Sequence, residues 1–404
     1  MAVVSPPRCR LRFIADLAIT HGEELAYLWG RRRGAIFSET LTLRDLQDLQ
    51  GRIEAHLQGM LAADEGLLAL FDDWLCADDR DEVFAAAWAF LRSGQRAAIA
   101  RVLDAFRKAE GPRLHGLGDA LGAASQAHTE AALRDALTGA EPARAVAAAA
   151  ALVTRQRLAP DDAALHRLLE VADAGVAAVA WQCVALTDPA SATRPLPYRT
   201  ALEAGDDALR AAAIGAAIWR GEQWLPSFAS RLAATGDTLG LGLCAALEDA
   251  FSSAAWGDRI AALPGPSRCA MLARTGHPEA IETIIGMMAD SNPLTAAAAG
   301  TAYTRLTGLD VAAQRHTLPI DANADEFERE FVDDVWLPDQ ARARQQWTRN
   351  EARWRSGRRW CRGHEISSAL STAAQATIDL AARWDFGMRA ALAGERLMAP
   401  PPVI

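Results

Sequence analysis

Lysine is almost missing from this chain of 404 residues: Lys108 stands alone, and every other basic side chain is arginine. Two readings of that bias stay open: recognition of phosphate or carboxylate, which the guanidinium fork does well, or the codon usage of a GC-rich genome. Cysteine is sparse and dispersed. Cys9, Cys76, Cys183, Cys244, Cys269 and Cys361 include no C-x-x-C pair. That spacing gives no zinc ligand set and no disulfide framework, so buried free thiols in a reducing cytoplasm are expected. The opening MAVVSPPRCRLRF lacks the apolar stretch of a secretory signal, and no run of about 18 uncharged apolar residues suggests a membrane span. A cytoplasmic protein without a membrane partner is the expectation. Motifs for common chemistries are missing too: there is no P-loop, no G-x-G-x-x-G after a strand, no H-E-x-x-H and no G-x-S-x-G. No catalytic, cofactor-binding or metal-ligating residue can be named, no cofactor is expected, and the chain reads as a non-enzyme.

What is present points to helices. Half of the residues are apolar, 23% are charged, alanine is over-used, and three tyrosines accompany twelve tryptophans. Alanine is the strongest helix former and lets helices approach closely, while few stretches show the β-branched alternation of a strand. A net charge of −9 and a pI near 5.5 disfavour non-specific binding to nucleic acid or to anionic membrane.

The clearest unit runs from His277 to Asp310. Pro278 suits a first helical turn, and Ile281, Ile284, Ile285 and Met288 follow at i, i+3, i+4 and i+7 as one apolar stripe. Asn292-Pro293 is a start signal for a second helix, rich in small residues, that stops at Gly308. Similar starts occur at Glu141-Pro142, Asp173, Asp206-Asp207 and Gly236-Asp237, at intervals of roughly 31 to 33 residues, the spacing of a helical solenoid. Pro264-Gly265-Pro266 breaks that register. The expected architecture is therefore all-α: a right-handed α-solenoid of helix pairs over 79–310. An N-terminal helical region (1–78) and a C-terminal helical cap (311–404) would form its atypical ends, since terminal units need a polar outer face.

The cap is unusual in charge. Residues 321–339 carry eight acids against Arg329, and 341–363 carry eight arginines against Glu351, interleaved with Trp347, Trp354 and Trp360. Such arginines and tryptophans can track a phosphate backbone and stack on bases. The favoured alternative is internal pairing of the two segments, with the tryptophans buried against the last repeat. His21 with Glu24, at i and i+3, is the nearest approach to a ligand pair and is too little for a metal site. His56 reads as a partly buried helix residue. Asp72-Asp73, Asp161-Asp162 and Asp206-Asp207 read as helix caps, and Arg31-Arg32-Arg33 as a solvated helix end.

The Pro278–Gly308 unit resembles the HEAT repeat of the phycobilisome-lyase type in its opening proline, bulky first helix, Asp290-to-Pro293 turn and alanine-rich second helix. Two further stretches, HGEELAYLWGRRRGAI (21–36) with LRDLQDLQGRIEAHLQGM, and the pattern Trp347, Asn350, Arg353, Trp354, Gly357, Arg359, Trp360, resemble an uncharacterised bacterial family associated with type VI secretion gene clusters. The resemblance implies a non-enzymatic interaction scaffold or adaptor, an accessory protein whose partner is a secreted effector or a spike component. It carries no site residue. A HEAT-like DNA glycosylase is the alternative, opposed by the acidic net charge, and a bilin-type lyase or small-molecule carrier is a third reading.

Overall fold

Helices begin where short polar side chains can accept the unpaired N–H groups of a first turn. In a computed structural model, which describes residues 14–124, 127–247, 254–319, 333–356, 358–367 and 370–403, such caps recur. Asp79 accepts from Asp81 N (2.7 Å), Asp162 from Ala164 N (2.9 Å), Asp173 from Val176 N (3.1 Å) and Asn292 from Leu294 N (2.9 Å). Gly308 closes its helix at φ 72°, the left-handed conformation expected of that glycine. Helices dominate throughout, and no described helix is long and apolar enough to cross a membrane.

Among the described residues the chain separates into two compact units. The first holds the segment up to Gly34, Gln47–Ala213 and the residues from Pro402; the second holds Ala35–Leu46 and Ile214–Pro401. This division falls between residues 213 and 214, within the stretch 79–310.

The first unit contains α1 (Ala15–Ala35), α2 (Leu43–Leu61), α3 (Arg80–Ser93), α4 (Arg96–Lys108), α5 (Gly111–Ala123), α6 (Glu130–Thr138), α7 (Pro142–Thr154) and α8 (Ala174–Leu186). α3 packs on α5, α5 on α7, and α7 on α8, while α6 lies against α7. Small residues set the spacing of these contacts: a Cβ on Gly116 of α5 would fall 2.4 Å from Arg80 O. Val83 to Leu91 of α3 are buried without interruption, and Phe84 stacks on Trp29 of α1 with centroids 3.8 Å apart. Each large side chain so buried contributes about 1.5–3 kcal/mol.

Arginine recurs as a clamp on helix ends. Arg144 donates to Phe106 O (3.1 Å) and Ala109 O (3.2 Å), Arg155 to Leu121 O (2.7 Å), and Arg167 to Leu137 O (3.2 Å). Every acceptor lies in, or just beyond, the last turn of a preceding helix, where carbonyls lack partners and the helix dipole favours a cation. A planar fork reaches two carbonyls at once, which an ammonium does less well.

The second unit contains α9 (Asp207–Trp219, within which the division falls), α10 (Leu225–Ala234), α11 (Thr238–Leu247), α12 (Gly265–Thr275), α13 (Ala280–Met287) and α14 (Pro293–Thr307). α11 packs on α12, α12 on α14, and α13 on α14. The C-terminal part follows as β1 (Ala312–Thr317), β2 (Asp334–Pro338), α15 (Gln340–Arg355), β3 (Trp360–Cys361), β4 (His364–Glu365) and α16 (Leu380–Leu392). The cap is thus not wholly helical. β1 and β2 form an antiparallel ribbon with Arg315 opposite Trp336, and β3 pairs with β4. The run Val335-Trp336-Leu337 has the β-branched and bulky character that favours this.

Described residues of the C-terminal part pack on the last helix pair. α15 lies on α13, Tyr303 donates to Ala343 O (3.1 Å), and Gln340 to Ile285 O (2.8 Å). Trp347 and Trp354 stack 10° from parallel, and they and Trp360 are buried. The described arginines of this stretch find partners of several kinds. Arg359, fully buried, donates to Thr275 O and Ala246 O (2.7 Å each) and to Ala245 O. Arg353 donates to Gly363 O and lies over the Trp360 ring, while Arg355 meets Glu351 and Glu282. Carbonyls in the last turn of a helix lack intrahelical donors, so an enclosed guanidinium can take them. Most of the acidic segment, 320–332, lies outside the described residues.

Candidate functional site: a groove over α14 and the buried charges beneath it

On α14, Leu294, Ala297, Thr301 and Thr304 recur at i, i+3, i+7 and i+10, so they share one face. The opposite face, with Ala299, Tyr303 and Leu306, is core. The small outward residues form the floor of a groove of about 560 Å³, walled by Trp336 and Pro338 of the ribbon on one side. Glu39, Thr40 and Arg362 wall the other. Gly300 lets the ribbon settle on the helix, since a Cβ there would lie 2.9 Å from Pro338 Cβ. Trp336 is 59% exposed. Its indole thus stands in water beside a floor of small side chains.

Beneath the groove sits Arg305, only 6% exposed. Its Nε and Nη2 donate to Asp379 Oδ2 (3.0 Å) and Oδ1 (3.2 Å), and its Nη1 lies 2.8 Å from Glu39 Oε1. Burial alone disfavours the charged guanidinium, but Asp379 and Glu39 outweigh it and hold Arg305 above its ordinary value. Asp379 does three things at once: it pairs with Arg305, caps α16 through Ala382 N (2.8 Å), and accepts from Cys361 Sγ (3.2 Å). Burial and the Asp379 charge push the Cys361 thiol up, so it stays protonated. Residues 36–42 complete the site as a strap on the α16 N-terminus. Ser38 O and Leu41 O accept from Ala381 N (3.1 Å) and Leu380 N (2.9 Å), and Trp384 Nε1 donates to Ile36 O (2.7 Å). A second pair joins α12 to α16: Arg274 Nη2, partly exposed, and Oδ1 of the buried Asp385 are 2.7 Å apart. Burial pushes the Asp385 carboxyl up, yet Arg274 prevails and holds it below the usual carboxylate range.

The groove's other polar groups are engaged as well. Arg362 donates to Thr40 O, Asp310 accepts from Ala312 N, and Thr304 donates to Leu309 O. What remains to offer is shape, an indole face and a close approach to α14. A separate cavity of about 580 Å³ between α11 and α16 is chiefly apolar. Its Arg389 donates to Ala246 O (2.8 Å) and Ile366 O (3.1 Å).

The residues weighed from sequence have other fates. His21 faces His56, with the two Nδ1 atoms 3.1 Å apart. Asp162 and Asp206 cap as expected, the latter through Leu209 N (2.8 Å), whereas Asp72 pairs with Arg101 at 2.7 Å and makes no cap. In the arginine triplet at the helix end Arg31 is exposed beside Tyr27, as a solvated end requires, whereas Arg33 forks onto Asp81 and Arg32 covers Trp29. Cys76 is exposed, the other described cysteines are buried, and Cys9 lies outside the described residues. Among the described residues no group of three or more potential ligands could hold a metal ion.

Glu39, Arg305, Trp336, Asp379 and Asp385 were not singled out from sequence. One signal was available at Arg305: a charge on the buried side of a small-residue helix requires a partner. No protein-family model matches the chain, and comparison with curated proteins and with solved structures finds no match.

Proposed function

We propose that the protein is a non-enzymatic interaction scaffold, and that the groove over α14 receives an extended segment of a protein partner. The observation that carries this reading is Trp336, 59% exposed beside the small-residue floor of α14. A peptide backbone can lie close to Ala297 and Thr301 while an apolar side chain covers the indole. In this reading the helix pairs of each unit are right-handed HEAT-like repeats, supported by the packing of α3 on α5 on α7 and of α11 on α12 on α14. The resemblance of 21–36 and 347–360 to a family of type VI secretion gene clusters makes a secreted effector or a spike component the expected partner. The test is crosslinking and mass spectrometry in the native host with wild type, Trp336→Ala and Thr301→Arg. Both substitutions lie on the surface and should shift stability by less than about 0.5 kcal/mol. Loss of the same apparatus component from both variants supports the reading, and undiminished capture defeats it. Salt-sensitive, sub-micromolar retention of DNA would instead favour the glycosylase alternative.

A further inference from the structure

α1 and α2 meet through two imidazoles. His21 Nδ1 and His56 Nδ1 lie 3.1 Å apart, and the rings are edge-on with centroids 5.2 Å apart. One ring must donate and the other accept. The position of His21 is confined, because a Cβ on Gly59 would fall 2.3 Å from His21 Cδ2, so the ring fills the space that glycine leaves. Burial, then the neighbouring His21, and Arg52 of α2 lower the His56 value, while Glu24 of α1 opposes them. The Leu67–Phe71 helix and the turn after it bring Phe71 and Trp74 against Gly22, which are apolar. Farther along α1 the attachments are of other kinds: Trp29 stacks on Phe84 and Arg33 forks onto Asp81.

We propose that the His21–His56 pair is a proton-sensitive latch. It fastens the N-terminal half of α1 to α2 while the pair carries at most one proton, and it releases that half when both rings are protonated. Two imidazoliums have no acceptor between them and place like charges about 3 Å apart. The closed state therefore binds fewer protons than the open one, whose rings titrate near the free value of about 6.5. Closure is fully favoured above about pH 7.5 and is lost as pH falls through about 6.5. If the second proton is wholly excluded, opening is favoured about 30-fold at pH 5 relative to high pH.

The test is hydrogen exchange of α1 in the full chain at pH 7.5 and 5.0, corrected for intrinsic rates. Wild type should show exchange over residues 15–24 rising roughly 10- to 30-fold at the lower pH, with 25–35 changing far less. His21→Gln and His56→Gln each keep one ring, remove the like-charge clash, and should flatten the rise to about threefold or less. A rise of equal size in both variants, or no rise in wild type, overturns the latch. NMR titration of the two rings in wild type gives an independent reading should a variant fold poorly. Separate titration steps are expected, and two rings titrating together near the free value overturn the proposal.

Discussion

Replacing Asp379 with asparagine tests what holds the second unit together. Asparagine preserves size and leaves Oδ1 to cap Ala382 N, but it removes the charge and puts an amide N–H where Oδ2 accepts from Arg305 Nε and Cys361 Sγ. Removing one partner of a buried ion pair costs about 3–5 kcal/mol, because the other charge remains enclosed. Here Glu39 still reaches Arg305 Nη1, but it is half exposed and returns only about 0.2–1 kcal/mol. The net loss should be near 3 kcal/mol. In a unit of roughly 200 residues, where each kcal/mol shifts Tm by about 2–4 °C, this lowers its transition by about 6–12 °C. Calorimetry resolves the transitions, with fluorescence of the enclosed Trp347, Trp354 and Trp360 as a second probe. Glu39→Gln should cost under about 1 kcal/mol. Arg305→Met added to Asp379→Asn should recover part of the loss, since it removes the stranded charge. A shift below about 2 °C for Asp379→Asn, equal to that of Glu39→Gln, would refute the assignment of this pair as a stability determinant.

Gly308→Ala should destabilise the second unit by more than about 1 kcal/mol in urea titration, because φ is 72° and the new Cβ would meet Arg362 O at 2.6 Å. A neutral effect would contradict the close approach of the cap to α14. Asp385 is held below the usual carboxylate range, so its contribution is present above about pH 4 and fades as pH falls further. Tm measured from pH 7 to 3 should drop at the acid end in wild type and drop less in Asp385→Asn, which starts lower at pH 7. Truncation after Asp310 strips Arg359 from the carbonyls of Ala245, Ala246 and Thr275 and uncovers α13. It should yield an aggregating product by light scattering, and a soluble monomer as heat-stable as the full chain would end the cap assignment.

Local chemistry was legible in the amino-acid sequence itself. Alanine content and the apolar stripes imposed helices, Asp162, Asp173 and Asn292 marked their starts, and Gly308 marked an end. Each of these depends on groups within a few residues of one another. Burial of Trp347, Trp354 and Trp360 was also accessible, because amphipathic arginine-tryptophan helices need a surface to cover. The partners were not. Nothing in a linear order says that Asp379 meets Arg305, that residues 36–42 strap the start of α16, or that His21 and His56 face one another across two helices. The acidic segment 321–339 looked like the natural partner of the arginines by charge balance alone. Most of that segment lies outside the described residues; within them Arg359 meets three carbonyls at helix ends and Arg355 meets Glu351 and Glu282, contacts that charge balance along the chain does not identify. The groove arose in the same way: a short ribbon, unforeseen in a helical cap, was laid across α14 at Gly300 and left Trp336 standing beside it. Periodicity and capping act over a few residues and decide the helices, whereas ion pairs and cavities depend on distances that only the assembled chain defines.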